Sequence, residues 1–375
     1  MQTNDSNVVI VNYTGRKGGG ALDAFEMAKA LLSNGKRVIP IISNQIENIE
    51  EWRKEGFETL IEIDTYSTKI NYLINSFFFF FKQRRQIKKA IKDYSIDFVY
   101  CPMITLWTGK INSFFKKSRT IIAVHDPIAH SGSNAFGASY LNRPYKKASA
   151  LVVHSKKFVE YVEKTFNKPT FYIPLGTHDF YKRYQPKGLK KNVSNNNRIN
   201  FLFFGRIEQY KGLDVLAKAF ERLVKKYGNL VSLSIVGNGS FSNYSGLYNG
   251  IKNTSIVNKW IPDNEVYQYF MNDLLVCVCP YVDATQSGVI LVSYAFETPV
   301  IATKTGGMDE QVLDNKTGYL IEPKSIDELF LAMERFVNKP SIIFDMRKNI
   351  MDYLDSISWS KSAQMLLSTI NSKGQ

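Results

Sequence analysis

The stretch PYVDATQSGVILVSYAFETPVIA at residues 280–302 decides the fold, because it reads as a loop, a helix start and a following strand. An apolar run, LLVCVC at 274–279, precedes it and is typical of a buried parallel strand. Residues 285–288, TQSG, then open a helix of apolar and small residues. A helix start that follows a strand offers backbone N–H groups and the positive end of its macrodipole to an anion. The stretch therefore predicts a phosphate-binding helix start.

A second stretch places two cations directly after another apolar strand. In FLFFGRIEQYKG at 201–212, Arg206 and Lys211 follow the strand residues. Two cations fixed there can neutralise a diphosphate, and the Arg206 guanidinium can do so with two parallel hydrogen bonds. The alternative is that both are solvated cations at the end of a strand.

Three further motifs follow in order, SIVGNGS at 234–240, KTGGMDE at 304–310 and TGYLIEP at 317–323. With these five pieces the chain resembles the retaining nucleotide-sugar glycosyltransferases of family 4, of the bacterial polysaccharide or lipopolysaccharide type. A strand followed by glycine recurs in every α/β fold, so the order and spacing of the five pieces carry the resemblance. It is dense in residues 200–325 and thinner before them.

The composition indicates an anionic partner. The 375 residues contain 48 Lys plus Arg against 34 Asp plus Glu, which gives a formal net charge of +14. No helix-turn-helix, zinc finger or aromatic RNA-binding motif is visible, so nucleic acid is not expected. A nucleotide diphosphate and an anionic membrane surface each account for the charge.

Neither a redox pair nor a metal site is expected. Cys101, Cys277 and Cys279 lie in or beside apolar strands with no further ligand cluster nearby, and the four histidines are scattered. The first residues, MQTNDSN, are polar, and no apolar run is long enough to span a bilayer. We therefore expect a cytoplasmic protein that requires no cofactor, peripheral at most on the inner face of the membrane.

Short apolar strands alternate with helical stretches along the chain, which is the pattern of parallel sheets covered on both faces. In the first half, strands are predicted at 8–13, 37–42, 97–100, 120–125 and 150–154, with a helix over 22–34. After a polar, cationic stretch the alternation restarts, with strands near positions 200, 232, 256, 275, 299 and 318. The sequence thus predicts an α/β fold of two doubly wound parallel-sheet domains, with ligand crevices at the carboxyl ends of the strands.

The resemblance implies the GT-B architecture, in which two Rossmann-like domains face each other across a cleft. We expect an N-terminal, acceptor-side domain over residues 1–180, a linker over 181–199 and a C-terminal nucleotide-sugar-binding domain over 200–375. The last helix, beginning near Trp359, is implied to pack back on the first domain.

Glycosyl transfer breaks the bond between the anomeric carbon and the diphosphate, so negative charge grows on the leaving phosphate. Each fixed donor at that phosphate is worth roughly 3 kcal/mol of barrier. The resemblance assigns this task to Arg206, to Lys211 and to the backbone N–H groups of Ser287, Gly288 and Val289. The donor is expected to be a UDP-sugar or a GDP-sugar.

A glycine-rich loop, KGGG at 17–20, follows the first strand and precedes a helix. Its amides at Gly19 and Gly20 can approach the same phosphates closely. The loop is not a complete GxGxxG motif and lacks an acidic residue at the distance of a ribose contact, which disfavours a dinucleotide oxidoreductase. A plain flexible turn is the alternative.

Polar residues follow the strand at 120–125. His125 and Asp126 precede Pro127, and His130 follows in a loop rich in glycine and serine. Such residues at the carboxyl end of a strand are placed for a ligand, although a locally satisfied turn cap is the alternative. The resemblance implies that His125 lies beside the donor sugar, with Asp126 and His130 on the acceptor side. His154 and His178 are interpreted as structural.

The chain departs from the resemblance at two positions. Most relatives carry two glutamates eight positions apart across the phosphate-binding helix start, whereas Thr285 and Ser293 stand there in this chain. Hydroxyls can hydrogen-bond sugar and ribose, but a charge-assisted bond is about twice as strong. Donor binding is expected to use Thr285, Gln286 and Ser293 beside the helix start. Glu297 is interpreted as a helix-end carboxylate.

A run of five phenylalanines at 77–81 leads into the basic stretch KQRRQIKK at 82–89. One helical stripe, which is the pattern that burial against a sheet requires, contains Ile70, Leu73, Ile74, Phe77, Phe78 and Phe81. Phe79 points away from that stripe and, with the cations that follow, resembles an interfacial anchor for anionic lipid. A core helix, a break and a solvated basic helix form the alternative.

The sequence favours an enzyme: a retaining transferase that moves a hexose from a nucleotide diphosphate sugar to a lipid-linked or polysaccharide acceptor, in cell-surface glycan biosynthesis such as that of lipopolysaccharide or capsule. A non-catalytic sugar or nucleotide binder with the same fold would explain the missing glutamates. A nucleotide-sugar epimerase shares the architecture, but its acid and base groups are not found.

Overall fold

A computed structural model describes residues 8–65, 68–78, 81–115, 119–128, 142–192 and 198–371. The described residues divide into two compact units. Unit 1 falls within Met1–Pro127, Gly132–Gly176 and Ile357–Gln375, and unit 2 falls within Ile128–Ser131 and Thr177–Ser356. His130 and Phe79 lie outside the described residues.

Unit 1 is built on a seven-stranded sheet in which every recorded pair of neighbouring strands is parallel. Its strands are β1 (Val8–Tyr13), β2 (Arg37–Ser43), β3 (Ile61–Ile63), β4 (Ile96–Cys101), β5 (Arg119–Val124), β6 (Ala150–Val153) and β7 (Thr170–Tyr172). Their order is β3-β2-β1-β4-β5-β6-β7. The order reverses between β1 and β4, which makes this pair the topological switch point.

The helices that accompany this sheet are α1 (Gly19–Ser33), α2 (Ile49–Lys54), α3 (Lys69–Phe78), α4 (Gln83–Ile91), α5 (Thr108–Asn112), α6 (Arg143–Lys147), α7 (Val159–Phe166) and, from the end of the chain, α14 (Trp359–Asn371). The strands are almost wholly buried: all six residues of β1 are inaccessible to solvent or nearly so. Burial on both faces explains why the strands read as continuous apolar runs rather than as alternating ones.

Unit 2 is built on a six-stranded sheet, again parallel throughout its recorded pairs. Its strands are β8 (Ile199–Phe204), β9 (Val231–Gly237), β10 (Thr254–Asn258), β11 (Leu275–Cys279), β12 (Val300–Thr303) and β13 (Gly318–Ile321). Its helices are α8 (Leu213–Tyr227), α9 (Ser245–Tyr248), α10 (Gly288–Ala295), α11 (Met308–Gln311), α12 (Ile326–Asn338) and α13 (Ile342–Ser356). The strand order, β10-β9-β8-β11-β12-β13, reverses between β8 and β11.

These two sheets confirm the predicted α/β fold of two doubly wound parallel-sheet domains. Each predicted strand is present with nearly the predicted bounds, and α1 begins three residues before the predicted helix. Two strands were not predicted, Ile61–Ile63 and Thr170–Tyr172, which form the two ends of the sheet in unit 1. Each has only three residues, too few for an apolar pattern to stand out. The three cysteines are free and buried, as expected.

The segment after unit 1 is attached to unit 2 by specific contacts. Asn192 donates its N–H to the carbonyl of Met271 at 2.6 Å and accepts from the N–H of Asp273 at 3.1 Å. The Lys191 ammonium donates to the carbonyl of Phe296, directly after α10, at 2.5 Å. Burial lowers the pKa of Lys191 to about 7. Lys191 therefore anchors the carboxyl end of α10, and Asn192 attaches the segment to residues 271–273.

The final helix, α14, packs on α1 within unit 1. Asn34, at the end of α1, donates to the Ser360 hydroxyl at 3.1 Å and accepts from the Gln364 amide at 3.0 Å. Gly176 lies against the Trp359 ring, since a Cβ on that glycine would stand 2.3 Å from Cγ of the indole. The chain thus returns to unit 1 after Ile357.

The prediction that α3 buries its apolar stripe is wrong. Leu73, Ile74, Phe77, Phe78 and Phe81 are 48% to 72% exposed. The helix has the predicted amphipathic pattern, but its polar side faces the unit: Trp107 donates to the Ser76 hydroxyl at 3.0 Å. Periodicity defines a stripe and leaves open which neighbour covers it. Within the described part of the chain, the helices are all too short or too polar to cross a bilayer.

Candidate functional site

The switch point of unit 2 is the place where an open α/β sheet opens a crevice, beyond the carboxyl ends of β8 and β11. The loop Gly205–Gly212 leaves β8 there, and the loop from Pro280 leaves β11. The two loops are joined directly, because the N–H of Val282 donates to the carbonyl of Tyr210 at 2.7 Å. The predicted cations and the predicted helix start are therefore brought to one edge of one sheet.

Lys211 is held rigidly at this edge. Only 8% of the residue is exposed, and its ammonium lies 3.6 Å from the centroid of the Tyr281 ring and 5.0 Å from that of Tyr210. Gly212 follows with φ +70°, and a Cβ there would stand 1.9 Å from the carbonyl oxygen of Pro280. Glycine at 212 thus lets the two loops touch, and the aromatic faces stabilise the lysine's charge.

Arg206 is held much more loosely. Its side chain is 67% exposed and pairs with Glu208 at 2.9 Å. An exposed ion pair contributes little to stability and is screened by salt. Arg206 is therefore a cation at the rim of this edge, free to reorient, whereas Lys211 is a fixed one.

The helix start at α10 differs from the prediction in one respect. The N–H of Ser287 does not face an anion, because it donates to Oε1 of Gln311 at 2.8 Å, and the Gln311 amide donates back to the Ser287 carbonyl at 3.2 Å. The first two helical N–H groups belong to Gly288 and Val289, and no acceptor for them is recorded in the described ranges. Those two amides are the N–H groups that the start of α10 can offer to an anion.

Gln311 reaches Ser287 because the motif at 304–310 folds back on the helix start. Gly306 has φ +53°, and a Cβ on it would stand 1.8 Å from the carbonyl oxygen of Ala284. The N–H of Gly307 donates to the carbonyl of Thr285 at 2.9 Å. Nothing in the sequence indicated that Gln311, 24 residues along the chain, would hydrogen-bond the Ser287 backbone.

The two hydroxyl residues at the positions of the missing glutamates are both buried. Thr285 is buried, and Gln286 beside it is half-buried. Ser293 is 0% exposed, and its hydroxyl donates to the carbonyl of Val289 within the helix at 2.8 Å. A short hydroxyl at 293 is thus satisfied by its own helix and lies in the core of unit 2. Glu297 lies beyond the end of α10 with φ +53°, in agreement with a helix-end position.

His178 is an unexpected neighbour of this helix start. The residue is buried, and its Cε1 atom lies 3.3 Å from the place that a Cβ on Gly288 would occupy. From the sequence we expected only a structural role for His178, which precedes the predicted linker. His178 therefore packs against Gly288 at the start of α10.

The switch point of unit 1 carries a cluster of hydroxyls, and Arg16 and Lys17 follow in the loop after β1. Thr14 follows β1, Thr105 follows β4, and their Oγ1 atoms are 2.5 Å apart. Thr108 extends the pair, with its Oγ1 3.0 Å from that of Thr105. The edge of this sheet therefore presents a chain of neutral hydrogen-bonding groups.

His125 stands at the same edge, directly after β5, and is half-buried. Its Nε2–H donates to the carbonyl of Pro102 at 2.6 Å, because a carbonyl can only accept. That bond orients the imidazole ring at the edge of the sheet. Asp126 beside it is exposed, and His130 lies outside the described residues.

His154 backs His125, with the two ring centroids 4.6 Å apart in an edge-to-face arrangement. Its Nδ1–H donates to the carbonyl of Ile173 at 2.8 Å. Burial, followed by repulsion from His125, lowers the pKa of His154 to about 3. His154 is therefore an uncharged ring at neutral pH.

The glycine-rich loop of unit 1 becomes the first turn of α1, which begins at Gly19 after Gly18 with φ +83°. Gly19 is exposed and has room for a side chain. Gly20 is packed instead: a Cβ there would stand 2.8 Å from Sδ of Met103 and from the Tyr13 hydroxyl oxygen. Gly20 is thus explained by packing alone, and only Gly19 faces solvent.

Residues 198–339 match the family described as glycosyl transferases group 1. An uncharacterised glycosyltransferase of Haemophilus influenzae is 26% identical over 159 residues, which cover 42% of this chain and 44% of that protein. An uncharacterised glycosyltransferase of Methanocaldococcus jannaschii is 21% identical over 333 residues, 85% of this chain and 78% of that one. The chain thus matches less than half the length of the first of these relatives.

Two solved structures resemble the whole chain. Sucrose-phosphate synthase from Thermosynechococcus elongatus has a TM-score of 0.71 at 17% identity and covers 98% of both chains. Anabaena HepE in complex with UDP-glucose has a TM-score of 0.69 at 16% identity, covering 97% of this chain and 99% of its own. At these identities the likeness shows the fold. Residues 198–339 therefore form a group 1 glycosyltransferase domain, in a chain with the two parallel-sheet α/β domains of GT-B glycosyltransferases.

Proposed function

We propose that this protein is a retaining glycosyltransferase of family 4 that transfers a hexose from a nucleotide diphosphate sugar to a lipid-linked or polysaccharide acceptor. The observation that carries the proposal is the buried Lys211, fixed 3.6 Å over the Tyr281 ring at the switch point of unit 2. A cation that is fixed at the carboxyl edge of a doubly wound sheet is placed to bind an anion. A diphosphate is the anionic ligand that a doubly wound sheet takes at this point.

The reaction gives each unit 2 group a task. The bond from the anomeric carbon to the diphosphate breaks, and its electron pair stays on the leaving phosphate oxygen. Lys211 and the amides of Gly288 and Val289 stabilise that charge without reorganising, which is worth roughly 3 kcal/mol for one well-placed donor. Arg206 moves from Glu208 to the diphosphate when the donor binds.

His125 serves the sugar rather than the phosphate in this proposal. Its ring is oriented by the bond to Pro102 and backed by the neutral His154. The oriented imidazole contacts a sugar hydroxyl and adds a dipole beside the reacting carbon. Gly19 is proposed as the donor contact of the first loop, and Asp126 and His130 as acceptor-side residues.

The donor is proposed to be a UDP-sugar or a GDP-sugar, bound without a metal ion. The structure of Anabaena HepE, which shares the fold, was obtained with UDP-glucose. The acceptor is proposed to be a precursor of a cell-surface glycan such as lipopolysaccharide or capsule. We place the reaction in the cytoplasm at the inner face of the membrane, in peripheral contact with anionic lipid, because the chain carries +14 net charge.

A second candidate function, binding without catalysis, rests on the two hydroxyl residues. Thr285 and Ser293 replace the glutamates that most relatives use for sugar and ribose, and both are buried. Ser293 already uses its hydroxyl within α10. A protein with this site would hold a nucleotide diphosphate firmly and the sugar weakly.

Donor turnover separates the two functions. The purified protein is incubated with a panel of uridine and guanosine diphosphate sugars, and release of the nucleotide diphosphate is followed with and without glycan acceptors. Release that Lys211→Met abolishes, and that the exposed Lys218→Met preserves, supports the transferase. Binding of the same donors with no release from any of them supports the non-catalytic binder.

A further inference from the structure

Helix α3 is attached to unit 1 by its polar side. The Trp107 indole donates to the Ser76 hydroxyl at 3.0 Å, and the Asn75 amide donates to the carbonyl of Thr65. The helical positions beside these, Leu73, Ile74, Phe77 and Phe78, are the exposed ones. An amphipathic helix normally buries its apolar face, so the orientation of α3 is the reverse of that of a core helix.

The exposed apolar residues form a continuous stripe. Positions 73, 74, 77 and 78 lie on one face of α3, and Phe81 continues the row in the turn that follows, where its N–H donates to the carbonyl of Phe78 at 3.0 Å. Phe77 and Phe81 are each 72% exposed. The rings of Phe77 and Phe78 contact each other edge to face, with centroids 5.3 Å apart. A contiguous exposed apolar patch of this kind marks an interaction surface.

The next helix adds positive charge beside the stripe. Helix α4 buries Gln83 and Ile87 against the unit and exposes Arg84, Arg85, Lys88 and Lys89, with Lys82 before it and Lys92 after it. Residues 65–92 contain seven Lys plus Arg and neither Asp nor Glu. The charge beside the apolar stripe is thus mainly positive, although Lys92 pairs with Asp93 at 3.7 Å.

We propose that this α3–α4 surface, which comprises Leu73, Ile74, Phe77, Phe78 and Phe81 with the exposed cations of residues 82–92, docks on an anionic lipid bilayer. Phenylalanine and leucine side chains enter the boundary between headgroups and acyl chains, and the cations stay at the level of the phosphates. The inference rests on the membrane contact in the proposed function, which it deepens by naming the surface. It also assigns the contact to the stripe that periodicity had placed in the core.

Charge complementarity selects this occupant over a second copy of the chain. In a twofold dimer the same face meets itself, so the cations of residues 82–92, a segment without Asp or Glu, would lie opposite each other. Like charges at such an interface are repulsive. A bilayer that contains anionic lipid supplies both an apolar interior and the opposite charge.

Vesicle flotation tests the proposal without donor or acceptor, so its outcome is independent of the transfer reaction. Full-length protein is mixed with vesicles of phosphatidylcholine alone or with 30 mol% phosphatidylglycerol, about 100 nm across, at low and high salt. The test variants are Phe77→Ser with Phe78→Ser, and Arg85→Glu with Lys88→Glu and Lys89→Glu. Arg84 is left unchanged because its guanidinium lies over the Phe114 ring, 5.8 Å from the centroid.

Matched controls come from unit 2. Leu331→Ser with Phe344→Ser removes two large apolar residues of comparable exposure. Lys218→Glu with Lys252→Glu and Lys348→Glu reverses three exposed lysines. Thermal melts of all five proteins confirm that each variant is folded before flotation is compared.

The proposal predicts that wild-type protein floats with anionic vesicles at low salt. It should float much less with neutral vesicles or at high salt. Removal of each cation should weaken partitioning about fivefold, so the triple reversal should lower it at least about a hundredfold. The double serine variant should lose most binding, while both controls bind as wild type does.

Failure of wild type to float with anionic vesicles at low salt would overturn the proposal, as would equal flotation of either α3–α4 variant. Sedimentation velocity tests whether a second copy of the chain covers this surface instead. If wild type is a dimer and the double serine variant is a monomer, the surface is a dimer interface and the proposal is wrong.

Discussion

The carboxyl edges of the two sheets share one topology and differ in the side chains that follow their strands. At the switch point of unit 2 stand a buried ammonium, Lys211, and the amides that begin α10. Hydroxyls and a pair of histidines stand at the switch point of unit 1. Burial keeps His154 of that pair uncharged. A parallel sheet fixes where a ligand is held, and the side chains that follow its strands decide which charge it carries. The proposed diphosphate site therefore belongs to unit 2, where the buried cation stands.

The largest effect should follow removal of the fixed cation of unit 2. Lys211→Met keeps the contact with the Tyr281 ring but deletes the charge, so turnover of the donor should fall about a hundredfold, or roughly 3 kcal/mol. Steady-state release of the nucleotide diphosphate measures it. The exposed Lys218→Met serves as control, and an unchanged rate in Lys211→Met would remove the leaving-group role from this edge.

The next effect concerns the device that holds the helix start. Gln311→Leu leaves the buried N–H of Ser287 without its acceptor and removes one of two donors to the Ser287 carbonyl, which also accepts from the N–H of Ile290. The free energy of unfolding should therefore fall by about 2 kcal/mol. Urea denaturation of the variant and of Gln286→Leu, at a half-buried neighbour, gives the comparison. If Gln311→Leu unfolds at the wild-type midpoint, Gln311 does not support the Ser287 backbone.

The sequence predicted the edge of unit 2 better than its details. The strands and the positions of Arg206, Lys211 and α10 could be predicted, because runs of apolar residues and helix starts are local patterns. The capture of the Ser287 amide by Gln311 and the approach of His178 to Gly288 join residues far apart in the chain, and periodicity holds no information on such pairs. The orientation of α3 failed for a similar reason, since a stripe does not name the neighbour that covers it.

A third prediction concerns the lowered pKa of His154 in unit 1. The pKa of His154 is lowered to about 3 in the folded state, against about 6.5 when unfolded. Below pH 6.5 the unfolded chain therefore binds a proton that the folded chain does not, and stability falls as pH falls from 6.5 toward 3. At pH 5 the loss from this group should be about 2 kcal/mol.

Urea midpoints of wild type and His154→Leu, taken from pH 7 to pH 5, measure that loss. The variant should lose stability less steeply by about one proton, although it starts from a lower value because the Ile173 carbonyl loses its donor. Equal slopes in the two proteins would show that His154 takes up its proton in the folded state as well.

The smallest effect should come from the rim cation of unit 2. Because Arg206 is exposed and paired with Glu208, Arg206→Ala should reduce turnover about tenfold, less than Lys211→Met, and the loss should shrink as salt rises. Glu208→Gln is the matched variant, since it releases Arg206 and should not lower the rate. A loss in Arg206→Ala that equals that of Lys211→Met would erase the distinction between a fixed and a mobile cation.

Calorimetric titration with UDP and with GDP tests the contrast between the two edges most directly. Both nucleotides carry the diphosphate and lack the transferred hexose. Wild type, Lys211→Met and His125→Asn are titrated side by side. The account predicts that one of the two nucleotides binds wild type, that its affinity falls at least about tenfold in Lys211→Met, and that it is unchanged in His125→Asn. Binding that survives in Lys211→Met, or that is lost in His125→Asn, would contradict it.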